Sequence, residues 1–168
     1  MKKVIVIGCP GSGKSRLSRE MHKITGLPLY HLDMMFWRAD RTTVPREEFR
    51  AELRRVIDTD EWIIDGNYGS TMQMRMEACD TVIFLDFPTD VCLAGIEERR
   101  GKPRDDMPWI ESDEDAEFAE FVRSYNSQSR PRVMELLYKY SSKEIIIFET
   151  RGAVDEYIKR LKALYDFS

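Results

Sequence analysis

Short apolar runs alternate along the chain with segments in which apolar residues recur every three or four positions. Each run is too short for a helix, and most are rich in the β-branched or aromatic residues that favour strands. Strands that alternate with amphipathic helices are typical of βαβ units wound around a mainly parallel sheet. The pattern therefore predicts an α/β fold with five buried strands, at residues 4–7, 29–32, 62–64, 82–85 and 145–148.

Helical periodicity is clearest in two places. After Pro45, which suits a first helical turn, apolar residues recur at helical spacing from Phe49 to Ile57. Residues 154–164 repeat the pattern and predict a C-terminal helix.

The longest interval between predicted strands, residues 87–143, has room for a lid. It carries helical patterns on either side of a Gly-Lys-Pro-Arg break at residues 101–104, so we expect a lid near residues 100–130. Eight acidic residues and no basic one lie between residues 105 and 120. They favour a solvated surface with a helix-capping pattern at residues 112–115.

Composition narrows the class of protein. A chain of 168 residues, 42% of them apolar, suits one domain with a substantial core. The formal net charge of −4 argues against binding nucleic acid by bulk charge. The sequence shows neither a membrane span nor a signal peptide, so we expect a cytoplasmic protein without membrane contact. Cys9, Cys79 and Cys92 lack C-x-x-C spacing and are expected to be reduced thiols.

The first predicted strand runs directly into a phosphate-binding motif. Residues 8–15 read Gly-Cys-Pro-Gly-Ser-Gly-Lys-Ser and fit G-x-x-x-x-G-K-[ST], followed by a helical pattern. Glycines let successive N–H groups curl around phosphate oxygens at a helix N-terminus. Lys14 would then reach the outer phosphates, and the Ser15 hydroxyl would bind Mg²⁺. The alternative is a glycine-rich turn with an exposed lysine.

Other elements separate this chain from signalling GTPases. It has no N-K-x-D and no D-x-x-G sequence, but carries Asp33 after the second strand, Asp65-Gly66 after the third, and an arginine-rich segment after the fourth. This arrangement resembles the adenylate-kinase-like small-molecule kinases. In that family an arginine after the third strand grips the acceptor's phosphate, and its absence here leaves a nucleoside monophosphate acceptor in doubt.

Several segments together resemble the DNA topology modulation proteins, the FlaR-related branch of that kinase-like group. They are residues 29–33 with Trp37, 62–68, 84–88, 101–107 and 129–132. The resemblance implies a three-layer P-loop NTPase fold with a five-stranded parallel sheet in the order 2-3-1-4-5, helices on both faces and a lid. It carries no defined reaction, and the acidic balance argues against tight DNA binding.

Candidate acids lie at strand ends, where open α/β sheets bind ligands. Asp65 is expected to organise Mg²⁺, and otherwise to cap a turn. Asp33, at the end of the second predicted strand, would orient or deprotonate an acceptor hydroxyl, or else cap a helix. His31 is expected to be buried and hydrogen-bonded. Asp86 is the less favoured metal candidate, because Phe-Pro follows it.

Aromatic and arginine side chains complete the candidate site. Trp37 and Tyr68 would stack on an acceptor ring or simply pack beside the strands. Lid arginines would neutralise the charge of a moving phosphoryl group, or lie on a solvated surface. These arginines are Arg99, Arg100, Arg104, Arg123, Arg130 and Arg132. Arg151, after the fifth strand, would border the adenine or form a polar helix entry.

The favoured function is transfer of the γ-phosphoryl group of ATP, with Mg²⁺, to a small acceptor. The alternative is a nucleotide-dependent regulator linked to DNA topology, with slow hydrolysis and slow or no kinase activity. Catalytic roles are predicted for Lys14, Asp33, Arg104 and Arg130, and metal binding for Ser15 and Asp65. Nucleotide contacts are predicted for Gly8, Cys9, Pro10, Gly11, Ser12, Gly13, Lys14, Ser15, Arg16, Arg99, Arg132 and Arg151.

Overall fold

Five parallel strands form one sheet in the order β2-β3-β1-β4-β5, as predicted. The computed structural model describes residues 1–111 and 115–167. The strands are β1 (Lys3–Gly8), β2 (Leu29–His31), β3 (Trp62–Asp65), β4 (Thr81–Leu85) and β5 (Glu144–Phe148). Because β1 lies in the middle, the loop that leaves its carboxyl end emerges at the centre of the sheet edge.

Helices cover both faces of this sheet. They are α1 (Lys14–Thr25), α2 (Leu32–Phe36), α3 (Arg46–Ile57), α4 (Gly69–Ala78), α5 (Thr89–Arg99), α6 (Ala116–Gln128), α7 (Arg130–Lys139) and α8 (Arg151–Asp166). Among the described residues, no helix is long and apolar enough to span a membrane.

Alternation along β1 divides the core in two. Ile5 and Ile7 pack with the apolar faces of α3, α4 and α7, whereas Val4 and Val6 pack with α1, α5, α6 and α8. All four side chains are fully buried. Burial on both faces explains why this strand reads as a continuous apolar run.

The prediction of five buried strands is wrong for the two edge strands. β2 is only half-buried, and in β5 Phe148 alone is buried while Ile147 is 42% exposed. An edge strand has a neighbour on one side only, so an apolar run does not guarantee burial there.

Two predicted helix starts shift slightly. Pro45 precedes α3 as its N-cap and does not lie within the first turn. Asp115 caps α6, where its carboxylate accepts a hydrogen bond from the Phe118 N–H at 3.0 Å. Of the capping pattern predicted at residues 112–115, residues 112–114 lie outside the described part of the chain.

Candidate active site

The loop between β1 and α1 has the backbone needed to surround an anion. Gly11 and Gly13 have φ angles of 82° and 94°, in the left-handed region that favours glycine. A Cβ on Gly11 would lie 2.0 Å from the carbonyl oxygen of Cys92, because α5 packs directly on the loop. The N-terminus of α1 follows with no acidic residue in its first turn. Its free N–H groups and helix dipole therefore favour a negatively charged ligand.

Lys14 and Ser15 begin α1 and face a large cavity above the sheet edge. The ammonium group of Lys14 donates a hydrogen bond to the carbonyl of Cys9 at 3.3 Å, so its side chain lies across the loop. The Ser15 hydroxyl lies 2.6 Å from Asp65 Oδ2, to which it donates a hydrogen bond. The predicted metal pair is thus brought into contact from positions 50 residues apart in sequence.

Asp65 is the most buried carboxylate of the site, at 4% exposure. Its Oδ2 also accepts a hydrogen bond from Nδ1 of His31 at 2.7 Å. The prediction of a hydrogen-bonded histidine is confirmed, but this side chain lines the cavity and is 11% exposed, so it is not fully buried. Its Oδ1 is buried without a hydrogen-bond partner. A buried oxygen without a donor is costly, and hydroxyl and carboxylate oxygens are the ligands that Mg²⁺ prefers. Ser15 and Asp65 therefore fit a magnesium ion.

Residues 100–111 and 115, the first described part of the predicted lid and here called the lid segment, contact the phosphate loop. Oδ2 of Asp106 lies 3.0 Å from the Ser15 hydroxyl. Arg104 donates two hydrogen bonds to Asp106, at 2.8 and 3.1 Å, and one to Glu111 at 3.0 Å. Burial alone would raise the pKa of Asp106, but the charge and hydrogen bonds of Arg104 outweigh it and hold this pKa below its usual value.

These contacts correct the expectation that the acids of residues 105–120 form a solvated surface. Asp106 is 6% exposed, and Glu111 also forms an ion pair with Arg99 at 3.3 Å. Burial lowers the pKa of Arg99, and the nearby positive charge of Arg104 adds to this effect. Two of the acids therefore neutralise the lid arginines and hold them in place.

Two residues that the sequence analysis did not single out shape the turn after β3. The side-chain amide of Asn67 accepts a hydrogen bond from the Gly8 N–H at 3.1 Å and donates one to the Gly8 carbonyl at 2.6 Å. Arg75 is fully buried and donates to the carbonyls of Gly66, Asn67 and Tyr68. Arg75 lies on the buried face of α4, beside Thr71, Met72 and Met76. A charged residue on an apolar helix face needs buried hydrogen-bond partners, and this position could have indicated the role of Arg75 from the sequence.

Asp33 lies in the first turn of α2 and not at the end of a strand, because the chain bends after His31. The bend buries Leu32, whose side chain packs against the backbone of Gly66. The hydroxyl of Tyr68 donates a short hydrogen bond to Asp33. Burial raises the pKa of Asp33, although this hydrogen bond opposes the shift. A carboxylate with a raised pKa is a stronger base.

Aromatic side chains line the side of the cavity that holds Asp33. Tyr68 packs against Phe36 and Phe49, with ring centroids 4.9 and 5.4 Å away. Trp37 meets the edge of Trp109, from the lid segment, at 5.4 Å. Trp37 and Tyr68 both line the cavity and pack on other aromatic rings, as one of the two alternatives predicts. Stacking on an acceptor ring stays a prediction.

The other predicted arginines have different surroundings. Arg130 is bound to both carboxylate oxygens of Asp86 at 2.7 Å and does not line the cavity. Arg132 lines the cavity, although it is exposed and paired with a neighbour on α7. Arg151 donates to the Gly11 carbonyl at 3.4 Å, beside the phosphate loop.

The remaining surface arginines, Arg16, Arg100 and Arg123, line the cavity rim and form ion pairs with acidic neighbours. Such exposed pairs are weak, so these side chains are free to turn toward a ligand.

The cavity has a volume of about 1350 Å³ and is large enough for two ligands. The phosphate loop, Asp33 and the aromatic side chains of Trp37, Tyr68 and Trp109 all line it. Gly8, Cys9 and Ser12 do not line it. The side chains of Cys9 and Ser12 are buried, so the nucleotide contacts predicted for these two residues fall to their backbone atoms and stay a prediction. Within the described residues, no cluster of three or more His, Cys, Asp or Glu side chains is arranged to hold a metal by itself.

The fold of this chain is similar to that of solved kinase structures. No protein-family model matches the sequence, and no curated protein matches it. Among solved structures, shikimate kinase from Bacteroides thetaiotaomicron superposes with a TM-score of 0.60 at 19% identity, over 97% of both chains. Shikimate kinase from Acinetobacter baumannii, in complex with shikimate, gives a TM-score of 0.62 at 14% identity, over 98% of this chain and 92% of that one. The chain therefore has the three-layer P-loop fold seen in shikimate kinases.

Proposed function

We propose that this protein is a kinase that transfers the γ-phosphoryl group of ATP to a hydroxyl group of a small molecule. The observation that carries the proposal is the contact between the Ser15 hydroxyl of the phosphate loop and Asp65 at the end of the adjacent strand. Together with Lys14, which also lines the cavity, this contact supports a site for a nucleotide and its metal ion beside room for a second substrate.

At the nucleotide end, the loop and Lys14 would hold the phosphates. The ammonium group now bonded to the Cys9 carbonyl at 3.3 Å would turn to a phosphate oxygen, which is a stronger acceptor because it is charged. Arg151, beside Gly11, would approach the nucleoside. Ser15 and Asp65 would hold Mg²⁺, which neutralises phosphate charge during transfer.

At the acceptor end, Asp33 is the candidate base. It lies among Tyr68, Trp37 and other aromatic side chains, and its raised pKa suits proton abstraction. Transfer would form a bond between the acceptor oxygen and the γ-phosphorus and break the bond from that phosphorus to the bridging oxygen. The electron pair of the broken bond would remain on ADP, and the hydroxyl proton would pass to Asp33.

Arg104 and Arg99 would stabilise the charge of the transferred group. Both side chains line the cavity from the lid side and are held by Glu111. Guanidinium groups in a partly buried site are effective here because water is excluded and their geometry is fixed before the reaction. The lid is therefore proposed to supply charge stabilisation, and the sheet edge to supply the metal-binding and basic groups.

The fold comparison supports this proposal in one respect. Both superposed neighbours are named shikimate kinases, and one is described in complex with shikimate. A kinase with this fold and a bound small molecule is therefore a precedent for a cavity with room for two ligands.

A thermal-shift titration with Mg-ATP tests nucleotide binding. A ligand at a hundred times its Kd should stabilise the wild type by about 2.7 kcal/mol. Lys14→Ala should lose most of that shift, because it removes the cation nearest the loop. The matched control is Lys23→Ala, on the same helix but exposed and paired with Glu20; it should retain the wild-type shift. No Mg-ATP shift in the wild type would contradict the proposal.

A further inference from the structure

The Ser15 hydroxyl faces more acceptors than it can satisfy. It lies 2.6 Å from Asp65 Oδ2 and 3.0 Å from Asp106 Oδ2. A serine hydroxyl carries one proton, so it can donate to only one of these carboxylates at a time. Two acidic groups converge on one oxygen atom, one from the sheet edge and one from the lid segment.

A second observation points to a cation at this position. Asp65 is 4% exposed and lines the cavity, and its Oδ1 is buried with no hydrogen-bond partner. His31 satisfies only Oδ2 of this carboxylate. A divalent cation beside Ser15 would satisfy the orphaned oxygen and relieve the competition of the two acids for one proton.

The hydrogen bonds of Asp106 orient its carboxylate for such a role. Arg104 binds both of its carboxylate oxygens, which fixes the carboxylate plane and keeps one oxygen directed at Ser15. Arg19 lies 3.8 Å from the other oxygen. Glu111 also accepts a hydrogen bond from Arg104, at 3.0 Å. The lid segment therefore presents Asp106 to Ser15, whereas Glu111 pairs with Arg104 and Arg99.

We propose that Asp106 is a metal-binding residue: in the nucleotide complex it binds the divalent cation, directly or through a water molecule, and the cation thereby ties the lid segment to the phosphate loop. This inference rests on the proposed nucleotide-binding function. It adds a metal-binding group that the phosphate-loop motif does not contain and that lies 91 residues from Ser15 in sequence.

Binding of Mn²⁺, followed by electron paramagnetic resonance, tests this role without using activity. The protein is saturated with a non-hydrolysable ATP analogue, adenylyl imidodiphosphate, and titrated with Mn²⁺. Asp106→Asn should weaken Mn²⁺ binding about 10- to 100-fold, the usual cost of losing a supporting group around a metal. Glu111→Gln is the matched control, because it also removes a carboxylate from Arg104, and it should keep the wild-type affinity.

A second titration, of the same analogue in EDTA, separates this inference from the proposed function. Asp106→Asn should bind the analogue at least as tightly as the wild type without metal, because a negative charge near the phosphates is removed. Wild-type or tighter Mn²⁺ binding by Asp106→Asn would overturn the inference, as would equal weakening by Glu111→Gln. If the wild type bound no analogue with or without Mn²⁺, the proposed function would fail first, and this inference with it.

Closure of the lid segment has its own optical signal. Trp109 of this segment contacts Trp37, and both rings line the cavity, so their fluorescence should report the position of this segment. Adding Mg²⁺ to the analogue complex should change tryptophan fluorescence in the wild type and in Glu111→Gln, and much less in Asp106→Asn. A full change in Asp106→Asn would show that the metal does not act on the lid through this residue.

Discussion

Gly95 lies where α5 touches the phosphate loop, and it offers a sharp test of that packing. A Cβ built on Gly95 would lie 2.1 Å from the carbonyl oxygen of Gly11 and 2.9 Å from a guanidinium nitrogen of Arg151. The arginine can turn away. The carbonyl cannot, because it belongs to the backbone of the loop that is proposed to hold the phosphates.

Two opposing effects set the size of the change in Gly95→Ala. Alanine favours a helix interior over glycine by about 1 kcal/mol. Overpacking a closely packed contact costs about 1–3 kcal/mol, and a 2.1 Å approach to a backbone atom belongs at the upper end of that range. The expected net loss is about 2 kcal/mol of unfolding free energy. In a chain of this length it corresponds to a fall in Tm of about 4–8 °C.

Thermal unfolding followed by circular dichroism, with and without Mg-ATP, provides the assay. Gly152→Ala is the control, because Gly152 lies in α8 and a Cβ added there would meet nothing within 4 Å. Gly152→Ala should be as stable as the wild type or slightly more stable, and Gly95→Ala should be less stable and bind Mg-ATP more weakly. Equal stability of the two variants, with wild-type binding of Mg-ATP, would refute the described contact between α5 and the loop.

Two variants, one reagent and one titration test other parts of the account. Asp33→Asn should raise Tm at neutral pH, because burial raises the pKa of Asp33 and disfavours its charged form. The gain should shrink as the pH falls through this raised pKa, and it should vanish below about 4, the ordinary pKa of an unfolded aspartate. A gain that is independent of pH would contradict this cause. Arg75→Met should lower the unfolding free energy in urea by at least about 1–3 kcal/mol, because it strands buried carbonyls; an unchanged midpoint would argue against that network. Ellman's reagent should label none of Cys9, Cys79 and Cys92 in the native protein and all of them after unfolding, since all three are buried. Duplex DNA should not bind tightly at physiological salt, and binding that survives high salt would contradict the charge argument.

The sequence was most informative where the signal is local. All five strands and the phosphate-loop motif are encoded in short, contiguous stretches, and their positions agree with the predictions to within about a residue or two at the ends. The depth of burial of β2 and β5 was overestimated, because it depends on which strands lie at the sheet edges, and an apolar run does not carry that information.

Contacts between distant segments were the part that sequence patterns did not supply. Asp106 stands in an acidic stretch that reads as solvated, and only the path of the lid segment brings it to Ser15. Arg130 was expected to act in the site, because it lies at a helix start beside the candidate lid. In the structure it binds Asp86 and does not line the cavity. A charged residue on the surface is stable with or without a partner, because exposed ion pairs contribute little free energy. The partners of such residues therefore cannot be inferred from their spacing in the sequence.

The most direct test of the proposed function is release of ADP from Mg-ATP in the presence of different acceptors. The panel includes nucleosides, nucleoside monophosphates, small polyols and shikimate, with phosphorus magnetic resonance to detect the product. We expect at least one hydroxylated acceptor to raise ADP release above the rate without acceptor, with one phosphorylated product per ADP, and Lys14→Ala to abolish the increase. ATP binding without any acceptor-dependent release or phosphorylated product would contradict a kinase and favour a nucleotide-dependent regulator.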